Sequence, residues 1–317
     1  MEAGKNIAAF ENRTAPLFVI IGASMWGVDG IVLRPALYGL PVPLVVFIES
    51  TIVALILSPY FIRRIQTLKN LDHRDWIAFF FVALLGGAIG TMAITKALFF
   101  VNFVNLSVVI LLQKLQPVFA VTLAALFLKE RLSKKFFLWA GIAIAGAYFM
   151  TFSTNLPNFS TGDKTTLAAL FSLLAAFSFG SSTVLSKRAL KNVSFETGTY
   201  IRFLFSALIM FVIALSLGDI EKISDVSTTQ VIVFIIIAFT TGGAAIFLYY
   251  YGLKRISASV AAICELAFPL TAVVLEYLIR GNILSPVQWI GALILLFSIF
   301  KVSGIKTTNS ELKSTNA

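Results

Sequence analysis

Residues Asn105–Met150 read NLSVVILLQKLQPVFAVTLAALFLKERLSKKFFLWAGIAIAGAYFM, a long apolar run broken by one proline, then a basic cluster, then a second apolar run. From Ser257 to Phe300 the chain repeats this pattern as SASVAAICELAFPLTAVVLEYLIRGNILSPVQWIGALILLFSIF. Ser107 aligns with Ser259 and Pro117 with Pro269 at a shift of 152, and Trp139–Gly141 aligns with Trp289–Gly291 at a shift of 150. A helix that spans lipid needs roughly 20 apolar residues, and each copy supplies two such segments. The chain therefore reads as a duplicated membrane protein.

Composition agrees. The 317 residues are 58% hydrophobic and 13% charged, with a mean hydropathy of +0.92, whereas soluble domains carry about 25% charged residues. The formal charge is +10, but the basic residues fall in short clusters between apolar runs. Nucleic-acid binding needs a solvent-facing basic surface, and too little soluble chain exists to build one. The single cysteine, Cys264, lies inside an apolar run, which leaves no disulfide framework and no cysteine metal cluster. No phosphate-cradling GxxxxGK[ST], HExxH or serine nucleophile elbow occurs, so the reading is of a non-enzyme without cofactor or metal. His73, in a loop beside Arg74, reads as solvated surface. The first apolar run lacks a small-residue cleavage signature and takes part in the repeat, so it reads as a retained helix.

Ten apolar segments can be drawn, at about 16–36, 42–61, 76–99, 104–128, 136–153, 166–186, 197–217, 230–251, 257–279 and 286–303. The least apolar connection is Asn155–Lys164, where two halves would meet, and the polar tail from Gly304 is expected to be disordered. The Lys/Arg bias of short loops sets orientation. One set of connections holds Lys5 and Arg13; Arg63, Arg64, Lys69 and Arg74; Lys129, Arg131, Lys134 and Lys135; Lys187, Arg188 and Lys191; Lys254 and Arg255; and Lys301, Lys306 and Lys313. The alternate set holds Arg34, Lys164, Lys222 and Arg280, together with Asp163, Asp219, Glu221 and Asp225. The alternation runs unbroken through ten segments and places both termini in the cytoplasm.

The repeat reaches further. Ser24–Leu37 (SMWGVDGIVLRPAL) aligns with Phe177–Leu190 (FSFGSSTVLSKRAL), with Gly27 on Gly180 and Arg34 on Lys187. Val46–Leu55 aligns with Tyr200–Ile209 at this same shift of 153, which puts Glu49 opposite Arg202. Five helices per half is an odd number, so the second half enters the membrane from the opposite side. Inverted repeats of this kind mark secondary transporters, in which one half rocks against the other around a midplane site.

On these residues the chain resembles the EamA-type transporters of the drug/metabolite transporter superfamily, from about Pro16 to Val302. The marks are the small-residue pattern at Ser24–Gly27 and Phe177–Gly180, the YYYGLKRISAS run at Tyr249–Ser259, Pro117 and Pro269, and LKERLS (Leu128–Ser133) followed by WAGIAIAGAYF. The resemblance implies an all-α membrane protein of ten transmembrane helices in two inverted repeats, 1–154 and 165–303, followed by a polar cytoplasmic tail, 304–317. It implies a cavity lined by the first four helices of each half, with the fifth peripheral. Where the family often has an arginine in the second helix of a half, this chain has Arg202 in one half and Glu49 in the other.

Ionisable groups in the hydrocarbon region are costly and usually face a bundle interior. Asp29, Glu49, Lys96, Lys114, Arg202 and Glu265 lie there, with Glu276 nearer a helix end. Two readings stay open. The charges can neutralise one another, Glu49 with Lys96 or Lys114 and Glu265 with Arg202, or they can hold a zwitterionic solute or exchange a proton. Lys114 and Glu265 sit three and four residues before Pro117 and Pro269, and Gln113 is the repeat-equivalent of Glu265. A proline inside a helix removes one hydrogen bond and clashes with the carbonyl four residues back, so a freed carbonyl is expected around Gln113 and Glu265. Trp26 and Asp29 share a helix face and together suit a cationic group. Of Tyr249, Tyr250 and Tyr251, one can face the cavity, and Tyr250 is the candidate. Gly86, Gly87, Gly90, Gly242 and Gly243 let backbones approach.

The sequence therefore predicts a secondary transporter of a small metabolite in a bacterial or archaeal inner membrane, monomeric or homodimeric, contacting lipid and no nucleic acid. The resemblance favours efflux of amino acids or related metabolites by proton-coupled or facilitated alternating access. The alternative is a non-transporting protein on this scaffold, a lipid scramblase or a sensor.

Overall fold

A computed structural model of the chain describes residues 2–63, 65–69, 71–100, 109, 112–156, 164–281, 283–305 and 308–309. Among these residues, nine helices are long and apolar enough to cross a membrane, and a further apolar helix is shorter. In chain order they are α1 (Arg13–Leu37), α2 (Val42–Ile62), α3 (His73–Ala97), the shorter α4 (Gln116–Phe127), α5 (Lys134–Phe152), α6 (Thr166–Ala189), α7 (Phe195–Ser216), α8 (Thr228–Arg255), α9 (Ala258–Ile279) and α10 (Pro286–Ser303). The protein is an all-α, multi-span membrane protein. Much of the start of the expected fourth segment, and most of the Asn155–Lys164 spacer and the C-terminal tail, lie outside the described residues.

Serines start several of these helices. Ser133, Ser194, Ser227, Ser257 and Ser285 each occupy the position before a helix and accept a backbone N–H with the hydroxyl. This satisfies one of the donors that a helix start leaves orphaned. Ser133 and Ser285, repeat partners at the shift of 152, start α5 and α10.

The prolines break their helices, and at Pro269 the carbonyl expected to be free is paired. In α9 the helical run Ala258–Cys264 stops at a turn on Glu265 and Leu266 and resumes at Ala267. Before α4, Leu112 and Gln113 are helical, Lys114 and Leu115 form a turn, and helix resumes at Gln116. Pro117 and Pro269 thus fall in the first turn of the second piece, where a missing N–H costs nothing. The Glu265 carbonyl is not left free, because it accepts from the Phe268 N–H at 3.0 Å.

A second irregularity is also duplicated. α3 carries a π-helical turn at Ala83–Ile89 and its repeat partner α8 carries one at Ala238–Gly242, while α1 ends in a π turn at Asp29–Leu33. Such turns cluster at functional sites.

Packing is symmetric between the halves. α1 lies against α8 and α9, and its repeat partner α6 lies against α3 and α4; α2 meets α7, α4 meets α9, and α5 meets α10. Each contact maps onto itself or another when the halves are exchanged, as a two-fold relation requires. Small residues fill the interior, among them Ala23, Ala120, Ala175, Ala245 and Ala261, while Leu55, Leu126, Phe239 and Leu293 face outward. Lipid supplies no hydrophobic drive between helices, so close approach of small residues holds the bundle. The α5–α10 crossing shows it best. A Cβ on Gly146 would stand 2.8 Å from the Leu295 amide nitrogen and 3.0 Å from the Gly291 carbonyl oxygen.

Candidate functional site

α9 carries Glu265 at its internal turn, seven residues past the helix start, about 10 Å deep at 1.5 Å per residue. The residue is 9% exposed, and helices from both halves supply its partners. The Tyr249 hydroxyl of α8 donates to Oε1 at 2.6 Å, the Thr183 hydroxyl of α6 donates to this oxygen at 3.0 Å, and the Gln116 amide of α4 donates to Oε2 at 2.7 Å. A carboxylate offers about four acceptor positions, and neutral donors occupy three of them. Among the described residues, no cation lies within 4.0 Å of it.

An aromatic layer adjoins this network. The Trp26 ring of α1 lies 5.2 Å from the Tyr249 ring, and Tyr249 lies 5.8 Å from Tyr250. The Tyr250 hydroxyl accepts from Arg202 Nη1 at 3.2 Å and stands 3.1 Å from the Ser186 hydroxyl. The Arg202 guanidinium is also 5.7 Å from the Tyr250 ring centroid, within cation–π range. Six helices, α1, α4, α6, α7, α8 and α9, thus converge on one acid, one guanidinium, three aromatic rings and several hydroxyls. The constellation gathers aromatic rings, donors and acceptors in the bundle interior, with Tyr249 and Tyr250 buried.

Asp29 and Glu49 form a separate cluster near the C-terminal end of α1. Arg34 Nε donates to Asp29 Oδ2 at 2.6 Å, Arg34 Nη2 donates to Glu49 Oε1 at 3.0 Å, and Thr241 of α8 donates to Asp29 Oδ1 at 3.2 Å. The π turn and the following tight turn fold Arg34 back from the helix end into the bundle.

The expected pairings are therefore corrected. Glu49 binds Arg34 rather than Lys96 or Lys114, and Glu265 takes neutral donors while Arg202 serves Tyr250. Trp26 and Asp29 belong to different networks, because Asp29 is occupied by Arg34 and Thr241. Two of the three tyrosines face inward, Tyr249 and Tyr250, whereas Tyr251 stacks under Arg255 at 3.7 Å. Lys96 is exposed, and Lys114 and Gln113 are half-buried in or beside the turn before α4. Among the described residues neither Lys114 nor Gln113 makes a hydrogen bond or ion pair. Pro117 is buried and Pro269 half-buried.

Sequence reasoning missed Gln116, Thr183, Ser186 and Tyr249. The signal was present in the run SFGSSTVLS, Ser178–Ser186, whose hydroxyl residues Ser178, Ser181, Ser182, Thr183 and Ser186 are all buried. Polar side chains so dense in a spanning helix need partners inside the bundle.

The EamA-like transporter family profile matches the chain twice, over residues 13–152 and 166–304. Riboflavin transporter ImpX of Fusobacterium nucleatum is 48% identical over 288 residues, covering 90% of this chain and 96% of that protein. An uncharacterized transporter of Synechocystis sp. is 27% identical over 79% of this chain and 72% of that protein. A solved crystal structure superposes with a TM-score of 0.71 at 16% identity, over 91% of this chain and 95% of that one, and shows the fold alone.

Proposed function

Because the chain belongs to the EamA-like transporter family and is a transporter of small molecules, we propose that its solute is riboflavin or a closely related flavin. The observation that carries this reading is the make-up of the central cluster. Trp26, Tyr249 and Tyr250 supply rings of the kind that stack on a flat heterocycle once the bundle opens, and Glu265, Gln116, Thr183 and Arg202 supply acceptors and donors for its polar edge and side chain. Flavins present both features, and the 48% identity to a protein named as a riboflavin transporter supports the assignment. Amino-acid export, which the family resemblance favoured, has no comparable support.

Transport proceeds by alternating access in the cytoplasmic membrane, with the basic loops and both termini on the cytoplasmic side. Glu265 is the proton-exchanging group in this scheme, since its partners are all neutral donors that tolerate either state of the carboxyl. The test is uptake of labelled riboflavin into liposomes holding the purified protein. Saturable uptake that unlabelled flavin suppresses and amino acids do not is the expected result; amino-acid exchange without flavin uptake overturns the reading. Glu265→Gln should abolish the response of flux to an imposed pH gradient, and an unchanged response removes Glu265 from the coupling.

A further inference from the structure

Glu130 is another buried carboxylate, 6% exposed, on the connection between α4 and α5. It plays no part in the cluster around Glu265. Its Oε1 accepts from the Ala258 N–H at 2.8 Å, and its Oε2 accepts from the Ser259 N–H at 3.1 Å and the Ser259 hydroxyl at 2.6 Å. These donors begin α9 and belong to the other half of the molecule. Both ends of the short run Ala258–Cys264 are thus held from the α4 region, by Glu130 at the start and by Gln116 at Glu265 just past the end.

The backbone is strained to deliver this side chain. Lys129 has φ 53, and its repeat partner at the shift of 152 is Gly281, with φ 67. The left-handed turn after the fourth helix of each half is therefore common to both copies. In the second copy glycine adopts it freely, while in the first a lysine is forced into a region that L side chains rarely adopt. The residue after the turn also differs, Glu130 in the first copy and Asn282 in the second. At the face that holds Glu130, other ties between halves include an Arg255–Glu11 pair at 3.3 Å with the Glu11 side chain 41% exposed, an Asn192–Asp75 contact at 3.5 Å, and Tyr200, which stacks on Phe61 and stands 3.3 Å from the Ser58 hydroxyl.

We propose that Glu130 is a positioning residue, a clasp between the halves that sets the Ala258–Cys264 segment and with it Glu265, and that its release opens the face bearing the basic loops.

The native Cys264 is the reporter. It is the single cysteine of the chain, is fully buried and precedes Glu265. The rate of its modification by a small, charged thiol reagent is measured on the purified full-length protein, well below the thermal midpoint. Glu130→Gln should accelerate labelling at least tenfold, Glu130→Asp and Ser259→Ala less, and Lys129→Gly, which relieves the turn and keeps the carboxylate, not at all. Gly291→Ala, destabilised where α5 crosses α10 and away from the Glu130 contacts, separates clasp release from general loosening and should label at the parent rate. If Glu130→Gln does not fold, Glu130→Asp and Ser259→Ala decide. Labelling at the parent rate in the folded clasp variants, or equal acceleration in Gly291→Ala, overturns the proposal.

Discussion

Replacing Arg34 by alanine should be among the most damaging single changes at the outer end of α1. The substitution leaves two carboxylates, Asp29 and Glu49, with side chains 9% and 12% exposed and no cation between them. Removing one partner of a buried ion pair costs about 3–5 kcal/mol, because the remaining charge is left uncompensated. Arg34 is itself 31% exposed, which places the expected cost at the lower end, about 3 kcal/mol, or more than a hundredfold in the folding equilibrium at about 1.4 kcal/mol per tenfold. Glu49→Gln alone keeps the 2.6 Å Arg34–Asp29 contact and should cost about 1 kcal/mol. In Arg34→Ala/Glu49→Gln only Asp29 is orphaned, so the double variant should be more stable than the sum of the singles by about 2 kcal/mol. Unfolding by dodecyl sulfate in mixed micelles measures all four corners of the cycle. An Arg34→Ala variant within about 1 kcal/mol of the parent, or additivity within about 0.5 kcal/mol, would refute the view that these acids are held structurally.

Further outcomes follow from the same geometry. Tyr249→Phe keeps the ring against Trp26 but removes a 2.6 Å donor to Glu265; a hydrogen bond to a charged group is worth about 1.5–3 kcal/mol, so initial flux at low solute should fall about tenfold with folding retained. A Cβ at Gly291 would press on the Met150 amide nitrogen and the Gly146 carbonyl, so Gly291→Ala should lose about 1–3 kcal/mol through overpacking and lower the thermal midpoint. Gly141→Ala, with open space around its Cβ, should leave that midpoint unchanged. Lys96→Ala removes an exposed side chain and should leave flux at the parent level in the liposome assay.

The architecture was legible because its causes are local. Roughly 20-residue apolar runs, prolines at matching positions and the alternation of basic loops follow from backbone hydrogen bonding and charge in lipid. Glu265 was legible too, since a carboxylate seven residues into a spanning helix must face the bundle. Its partners were not. Gln116 and Thr183 are common side chains on other helices, and only the α4–α9 and α6–α9 packing brings them within 3.0 Å of Glu265. Arg34 was counted as a loop charge because sequence carries no sign that a π turn folds it back toward Glu49, 15 residues on. Lys96 looked like a cavity residue by depth alone, whereas depth leaves open which side of the helix a residue occupies.

The exchange symmetry of the packing has a consequence for how the protein is made. The main neighbours of α1 are α8 and α9, and α2, α4 and α5 each meet their own counterparts in the second half. Among the described residues, mutual contacts within the first five helices are sparse. A ribosome that has inserted only those five therefore leaves them in the bilayer with their small-residue faces and Glu130 unmatched. On this packing the first half should wait as an intermediate until the second supplies its partners. Two separately expressed halves should accordingly be stable together and short-lived alone, which pulse labelling in cells would read directly.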